Sequence, residues 1–569
     1  MAHDALRAAI GEALERLGAH EAEVHLERPR DPSHGDLATN VAMTLASSLG
    51  RPPRQIAEEL AETLRLEGTG VDAVEVAGPG FLNFRFSTEA HGKVIRTALR
   101  DDQSFGASRE GQGRPVMVEF VSANPTGPLH LGHGRQAALG DAVSSLLEWT
   151  GWSVQREFYY NDAGGQIERL TDSVFARYLQ ALGRDVPFPE DGYHGEYVVD
   201  LGQRLAKEAG DRHQEGTQED RDAIRRFAVQ ALREEQDGDL HAFRVRFDRY
   251  FLESSLHDEG RVDETVERLR EAGLVYEKDG ALWLETTRFG DQKDRVMRKS
   301  DGSATYFLPD VAYHLTKWER GFHDAINIQG ADHHGTVARV RAGLQGLGLP
   351  EGYPEYVLHQ MVTVERGGQE VKFSKRAGSY TTLRDLVDLV GVDVTRYFFL
   401  MRKPEAHLVF DVDAALDQSE KNPVYKAQYA HARMCSIFRK AGRSPEELDA
   451  AEAPLHRLEE PGEKEIVNAL AQFPELVAGA ARARAPHLVC DYLEQTAGLV
   501  NSWYHAGNPT RNPELAVLVD DPELREARLA LVGAIRVTLR NALRLLGVEA
   551  PERMVREEDA AQAGSAPSG

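Results

Sequence analysis

Apolar positions recur at helical spacing over residues 4–17, 37–49 and 53–66, which predicts three helices near the start of the chain. The next segment, 71-VDAVEVAGPGFLNFRFS-87, alternates instead, and Gly78-Pro79-Gly80 interrupts it, so two strands joined by a turn are expected. A polar, Gly-rich stretch, 101-DDQSFGASREGQGRP-115, then reads as a linker. Beyond it comes VMVEFV, a short continuous apolar run of the kind that forms buried strands in α/β folds. Ala138, Val143, Leu146 and Leu147 then recur at helical spacing, and 152-WSVQREFYY-160 is a further strand candidate. Strand, turn, helix and strand in that order begin a doubly wound parallel sheet.

Residues from about 167 to 280 are helix-rich and carry blocks of mixed charge such as 207-KEAGDRHQEGTQEDRDAIRRF-227. They read as an insertion rather than core sheet. Strand-like runs return at 323-HDAINIQGADHHG-335 and 356-YVLHQMVTVER-366, as the second half of the sheet. From about 405 to 556 the periodicity is helical throughout, with helices at 422–442, 462–478, 485–505 and 523–546, which predicts a bundle. The tail, 557–569, is of low complexity and is expected to be disordered. The fold class is therefore multidomain α/β plus all-α. It comprises a small α/β unit (1–108), a Rossmann-like parallel-sheet domain with a helical insertion (109–404), and a helical bundle (405–556).

Composition changes this picture little. At 569 residues the chain is too long for one ordinary domain. It shows neither a secretory leader pattern nor an apolar run of membrane-spanning length, so no membrane association is expected. Two cysteines, Cys435 and Cys490, make no disulfide framework and no zinc spacing, and are expected as buried thiols of a reducing cytosol. The net charge of −24 argues against indiscriminate nucleic-acid binding, yet leaves room for a local basic face that meets a shaped RNA.

Chemistry enters at the turn after VMVEFV, within 116-VMVEFVSANPTGPLHLGHGRQAALGDAV-143. A turn that leaves a strand and opens a helix aims backbone N–H groups and the positive end of the helix dipole at a bound anion. His130 and His133 are three apart on that first turn, Gly127 and Gly132 allow close approach, and Pro128 stiffens it. In 371-VKFSKRAGSY-380, Lys372, Ser374 and Lys375 can clamp a polyphosphate. The cluster 329-QGADHHG-335 follows a strand on the side of an open sheet where ligands bind. Glu119 is a carboxylate in an apolar strand and needs a partner; a cationic ligand or a protein Arg or Lys would answer equally. Tyr306 and Asp310 share a face if 304-ATYFLPDVAYH-314 is helical.

Taken together, HLGH and KFSKR resemble the HIGH and KMSKS signatures of class I aminoacyl-tRNA synthetases. The blocks EFVSANPTGPLHLGH, YYNDAGGQI, DGSATYFLPDVAYHL, QGADHHG, VKFSKRAG and NPVYKAQYAHARMCSIFRKAG resemble the bacterial-type arginyl-tRNA synthetase family more closely still, as does SHGDLATNVAMTLA with GPGFLNFRF. The resemblance implies that Glu119, Ser122, Asn124, Tyr306, Asp310 and Gln329 hold arginine. It implies that Pro128, His130, Gly132, His133, Gly330, Asp332, His333, Lys372, Phe373 and Lys375 hold ATP, with Mg2+ as its counter-ion and no metal site of the protein's own. His130, His133, Ser374 and Lys375 are the catalytic set it implies. Asn40, Asn83, Tyr425, Tyr429 and Arg433 are candidates for contact with tRNA(Arg), alongside Lys426, Arg439 and Lys440 on the bundle. A cytoplasmic monomer is expected. One departure is Ala331, where some relatives carry a glutamine that contacts substrate; Gln329 is the candidate replacement.

Overall fold

The computed structural model describes residues 2–554 apart from 21, 28, 30, 32–33, 163 and 372–379. Lys372, Phe373, Ser374, Lys375 and the 557–569 tail therefore lie outside the described residues.

The N-terminal unit packs helices Ala2–Arg16, Val41–Leu49 and Pro53–Thr63 against the hairpin Val71–Ala77/Phe81–Phe86. Leu6, Ile10, Val41, Ile56, Leu60 and Phe84 form its core. The expected helix at 37–49 begins later than its periodicity suggests. Leu37–Thr39 is a buried strand antiparallel to Phe81–Phe86, and the helix starts only after Asn40. Pairing with the hairpin overrides local helical spacing there.

The central sheet has five parallel strands among the described residues: β1 (Pro115–Glu119), β2 (Ser153–Tyr160), β3 (Arg249–Leu252), β4 (Asp324–Gly330) and β5 (Glu355–His359), in the order β5-β4-β1-β2-β3. From β1 the chain builds outward to β2 and β3, then returns to the other flank of β1 as β4. The strand order reverses between β1 and β4, and the crevice at their carboxyl ends is where an open α/β sheet binds ligands. Helix α1 (Leu131–Trp149) follows β1. Helices α2 (Gly165–Ala181), α3 (Glu196–Ala209) and α4 (Gln218–Ala242) follow β2 and form a satellite core of Leu170, Val174, Val198, Ile224 and Leu232. Helices α5 (Phe307–Glu319) and α6 (His334–Gly346) flank β4.

Two expectations need correction here. The segment taken as pure insertion contains β3, a core strand whose four residues are flanked by charge and so carry little apolar signal. The run 356–366 is not one strand: only Glu355–His359 joins the main sheet, while Val362–Arg366 pairs in parallel with Leu408–Asp411. The latter strand also interrupts the all-helical reading from 405.

The bundle consists of α7 (Pro423–Ala441), α8 (Pro461–Ala483), α9 (His487–Ala506) and α10 (Pro522–Leu545), close to the predicted helices. Its core is continuous with that of the sheet, through Val143, Leu146, Tyr397, Phe473, Leu493 and Leu531. At the seam the buried Arg396 donates to Leu546 O (2.9 Å), to Phe243 O (3.0 Å) and to Asp141 Oδ2 (2.5 Å), joining the end of α10, the end of α4 and the middle of α1.

Candidate active site

The turn after β1 is held from several sides. Val121 and Ser122 adopt left-handed backbone (φ +67° and +41°), which folds the chain back over the strand end. Ser122 Oγ donates to Glu119 Oε1 (2.9 Å) and accepts from Tyr159 N (3.3 Å). Asn124 Nδ2 donates to Gln166 Oε1 (2.6 Å), and the buried Gln236 donates to Asn124 O (3.1 Å) and Gly127 O (2.8 Å). Two tyrosines grip the next residues: Tyr197 Oη donates to Thr126 O (2.8 Å) and Tyr380 Oη to Pro128 O (3.0 Å). A Cβ on Gly127 would lie 3.2 Å from the Tyr197 hydroxyl and 3.4 Å from that of Tyr380, so glycine leaves room for both. Three of these braces come from the insertion helices, which makes the insertion part of the site.

His130 caps α1. Its Nδ1 accepts from His133 N (3.2 Å), His133 Nδ1 accepts from His130 N (3.4 Å), and the rings stack at 3.6 Å. Because each Nδ1 is an acceptor, each neutral ring carries its proton on Nε2, directed away from the backbone. Burial holds both imidazoles below their ordinary pKa, His133 well below, and the pair is neutral at pH 7. The pair carries no charge in the resting protein, and what it offers is two N–H donors at a helix N-terminus. A Cβ on Gly132 would sit 2.8 Å from the His130 ring, so the stack requires glycine.

These residues line one side of a cleft of about 840 Å³. Gly330, Asp332 and His333 line another side, and His359, Met361 and Thr363 a third. Thr382 forms a β-bridge with His130, and Leu383 N donates to Leu129 O (2.8 Å), so the chain leaving the 372–379 segment is stitched to the HLGH turn.

Beside the cleft, the partner of Glu119 is a protein lysine. The buried Lys317 ammonium contacts Glu119 Oε2 and donates to Asn327 Oδ1 (2.9 Å), while Asn327 Nδ2 donates to the same Glu119 oxygen (2.8 Å). Of the two partners left open by the sequence, the structure supplies the protein lysine, so Glu119 does not by itself demand a cationic ligand. Asp310, in the first turn of α5, is a second acidic group near Glu119. It is half-buried and, among the described residues, engaged by no hydrogen bond or ion pair. Burial, then Glu253 and Glu119, push its pKa up to about 7. Glu253 follows β3 directly and accepts from the Tyr159 hydroxyl (2.7 Å); burial raises its pKa too. Sequence reasoning missed Glu253 because its strand was hidden in the insertion, although a carboxylate immediately after a parallel strand is the available signal. Tyr306, just before α5, is 74% exposed, and Gln329, near the end of β4, has no side-chain hydrogen bond among the described residues.

Several RNA candidates are occupied. Asn83 is buried in its strand. Tyr429 is buried and donates to Gln418 O (3.2 Å). Arg433 donates to Asn501 Oδ1 (2.5 Å) and to Glu420 Oε1 (2.6 Å). Asn83, Tyr429 and Arg433 thus already have surroundings or partners within the protein. Asn40 and Tyr425 are half-buried, and Arg439 and Lys440 are exposed.

The comparisons fit this geometry. Residues 94–396, which hold the sheet, the crevice and the histidine turn, match the family described as tRNA synthetases class I (R), catalytic domain. The chain thus carries a class I aminoacyl-tRNA synthetase catalytic domain. Residues 4–86 match the arginyl tRNA synthetase N terminal domain and residues 427–554 the DALR anticodon binding domain. The chain belongs to the arginyl-tRNA synthetase family, whose reaction charges tRNA with arginine. It is 55% identical to the arginine–tRNA ligase of Geotalea uraniireducens, with 93% of this chain and 94% of that one covered. It is 51% identical to that of Geobacter metallireducens, over 97% of this chain and 100% of the relative. Among solved structures it resembles the Thermus thermophilus arginyl-tRNA synthetase, with a TM-score of 0.75 at 27% identity, covering 97% of this chain and 100% of that one.

Proposed function

We propose that the crevice divides the work of arginine activation between two adjoining sites. The 840 Å³ cleft takes ATP, with its phosphates toward the N-terminus of α1. The pocket of Asp310, Glu253, Tyr159 and Glu119 takes arginine. The guanidinium lies against Asp310, with Tyr306 closing over it, and Ser122, Asn124 and Gln329 serve the α-amino and carboxylate end. The arginine carboxylate attacks the α-phosphorus, the bond to the bridging oxygen breaks, and pyrophosphate leaves. Catalysis is positioning plus charge stabilisation. His130 and His133 donate Nε2–H to the phosphates, while Ser374, Lys375 and Lys372 supply positive charge and hydroxyl contact there. Mg2+ enters with the nucleotide as its counter-ion. A ribose hydroxyl of the terminal adenosine of tRNA(Arg), the 2′-OH, then attacks the carbonyl carbon of the adenylate; the ester forms, the bond to phosphate breaks, and AMP leaves. The N-terminal unit and the bundle hold the rest of that tRNA, and the protein works as a cytoplasmic monomer.

The observation that carries this reading is the unpaired Asp310 carboxyl, held near pH 7 among other acids beside the nucleotide cleft. A guanidinium satisfies it by two parallel hydrogen bonds, which an ammonium cannot match. Asp310→Ala should raise KM for arginine by roughly a hundredfold and leave KM for ATP near its starting value, read by pyrophosphate exchange with tRNA present. Equal effects on both constants would remove Asp310 from arginine recognition.

A further inference from the structure

Met361 is out of place for its residue type. Met117, Met297 and Met434 are fully buried, and Met43, Met401 and Met554 are half-buried, whereas Met361 is 72% exposed. Its backbone is fixed: Met361 O accepts from Leu408 N (3.2 Å), Gln360 N donates to Pro404 O (2.9 Å), and the buried Arg135 donates to Gln360 O (2.8 Å). A pinned backbone thus presents a thioether to open space, and that space is the cleft shared with His130, Gly132, His133, Gln136 and Thr363. The phosphate-binding end of the cleft is the N-terminus of α1. An apolar, polarisable side chain elsewhere on the rim suits a planar heteroaromatic ring, since sulfur packs favourably against such rings.

We propose that Met361 is the platform for the adenine base and that its oxidation by a hydroperoxide weakens ATP binding reversibly. The proposal rests on the reading of this cleft as the nucleotide site. In the oxidation the thioether sulfur takes the distal oxygen of the peroxide and loses two electrons to it. The O–O bond breaks, and water or the corresponding alcohol leaves. The product is a sulfoxide, polar where the base needs an apolar surface, and enzymatic sulfoxide reduction restores the thioether. Exposure makes Met361 the preferred target. The competing thiols, Cys435 and Cys490, are buried, with pKa values raised by that burial, so few thiolates are present to react.

The test uses the full-length enzyme treated with graded hydrogen peroxide. Peptide mass spectrometry locates the added oxygen, and pyrophosphate exchange gives KM for ATP and for arginine. The expected result is oxygen on Met361 before any of the six other described methionines. KM for ATP should rise roughly five- to tenfold, with KM for arginine unchanged. A non-hydrolysable ATP analogue should slow the oxidation, and sulfoxide reductase should restore the original KM. In Met361→Leu, peroxide should leave that variant's own KM for ATP where it began. Oxidation of Met361 with no change in KM for ATP, or no protection by the analogue, would overturn the proposal. Gly132→Ala, which disturbs the histidine stack, separates the two layers of inference. If it raises KM for ATP while Met361 oxidation does not, only the Met361 proposal fails. If it too leaves KM for ATP unchanged, the assignment of the cleft fails as well.

Discussion

At the scale of single residues, Glu119 shows how a carboxylate in an apolar strand can be answered from within the protein. Its environment is one ion pair with Lys317, locked by Asn327 in the adjacent strand. Breaking a buried pair on one side leaves a charge that water cannot reach. Lys317→Met should therefore destabilise the protein by about 3–5 kcal/mol, and adding Glu119→Gln should recover much of the loss. Chemical denaturation of both variants checks this; a single variant as stable as the parent would show that Lys317 carries no such role. The sequence displayed Glu119 but not its partner. Lys317 lies nearly two hundred residues away on a helix whose charged residue looked like ordinary surface.

At the scale of elements, the turn between β1 and α1 behaves as a shared component of three segments. Tyr197 from α3 and Tyr380 from the chain after the 372–379 segment hold consecutive parts of it, and Gln236 from α4 holds its carbonyls. Removing either hydroxyl should cost about 1 kcal/mol of stability. The larger effect should be on rate: Tyr197→Phe or Tyr380→Phe should slow adenylate formation roughly tenfold, with KM for arginine unchanged. The double variant should lose less than the product of the two, because both act on one turn. Single-turnover activation rates decide this, and full additivity would mean the two tyrosines act separately. Strands β1 and β4 were readable because apolar runs mark doubly buried strands, β2 because three aromatic residues end it, and the bundle helices because their periodicity is long. Strand β3 was not readable: four residues bounded by arginines and acids leave no pattern. Leu37–Thr39 failed for the opposite reason, since its residues suit either state and only the hairpin decides. Tyr429 and Arg433 looked available because a sequence shows residue type and not the neighbour already using it.

At the scale of the molecule, sheet and bundle share one core, and Arg396 sits at their junction with three separate segments as its acceptors. The residues before Thr88 have their own core and meet the bundle through Asn468, which donates to Asp36 (2.7 Å), and through Arg7, which donates to Glu475 Oε1 (2.7 Å); the helix Thr88–Asp101, whose Ile95 and Ala98 lie in the shared core, adds a hydrogen bond from His91 Nε2 to Asn468 Oδ1 (2.9 Å). Calorimetry should therefore show sheet and bundle melting together. Arg396→Met should lower that transition, at a cost of about 3–5 kcal/mol, and leave any separate N-terminal transition in place. Separate melting of sheet and bundle in the parent protein would contradict a shared core.

With arginine seated against Asp310 as proposed, the acidic pocket also ties substrate uptake to protons. In the free protein the Asp310 carboxyl has a pKa of about 7, above the ordinary carboxylate value, so the folded state gains from binding a proton there. That contribution is complete below about pH 4 and disappears as the pH rises through 7. Arginine bound there would reverse the preference, because its cation favours the ionised carboxylate. Near neutrality, loading the pocket must expel part of a proton into solution, whereas at pH 9 it expels none. The heat of binding at pH 7 should accordingly vary with the ionisation enthalpy of the buffer, and the variation should vanish at pH 9. On that assignment the enzyme's empty state is a weak acid that its substrate titrates.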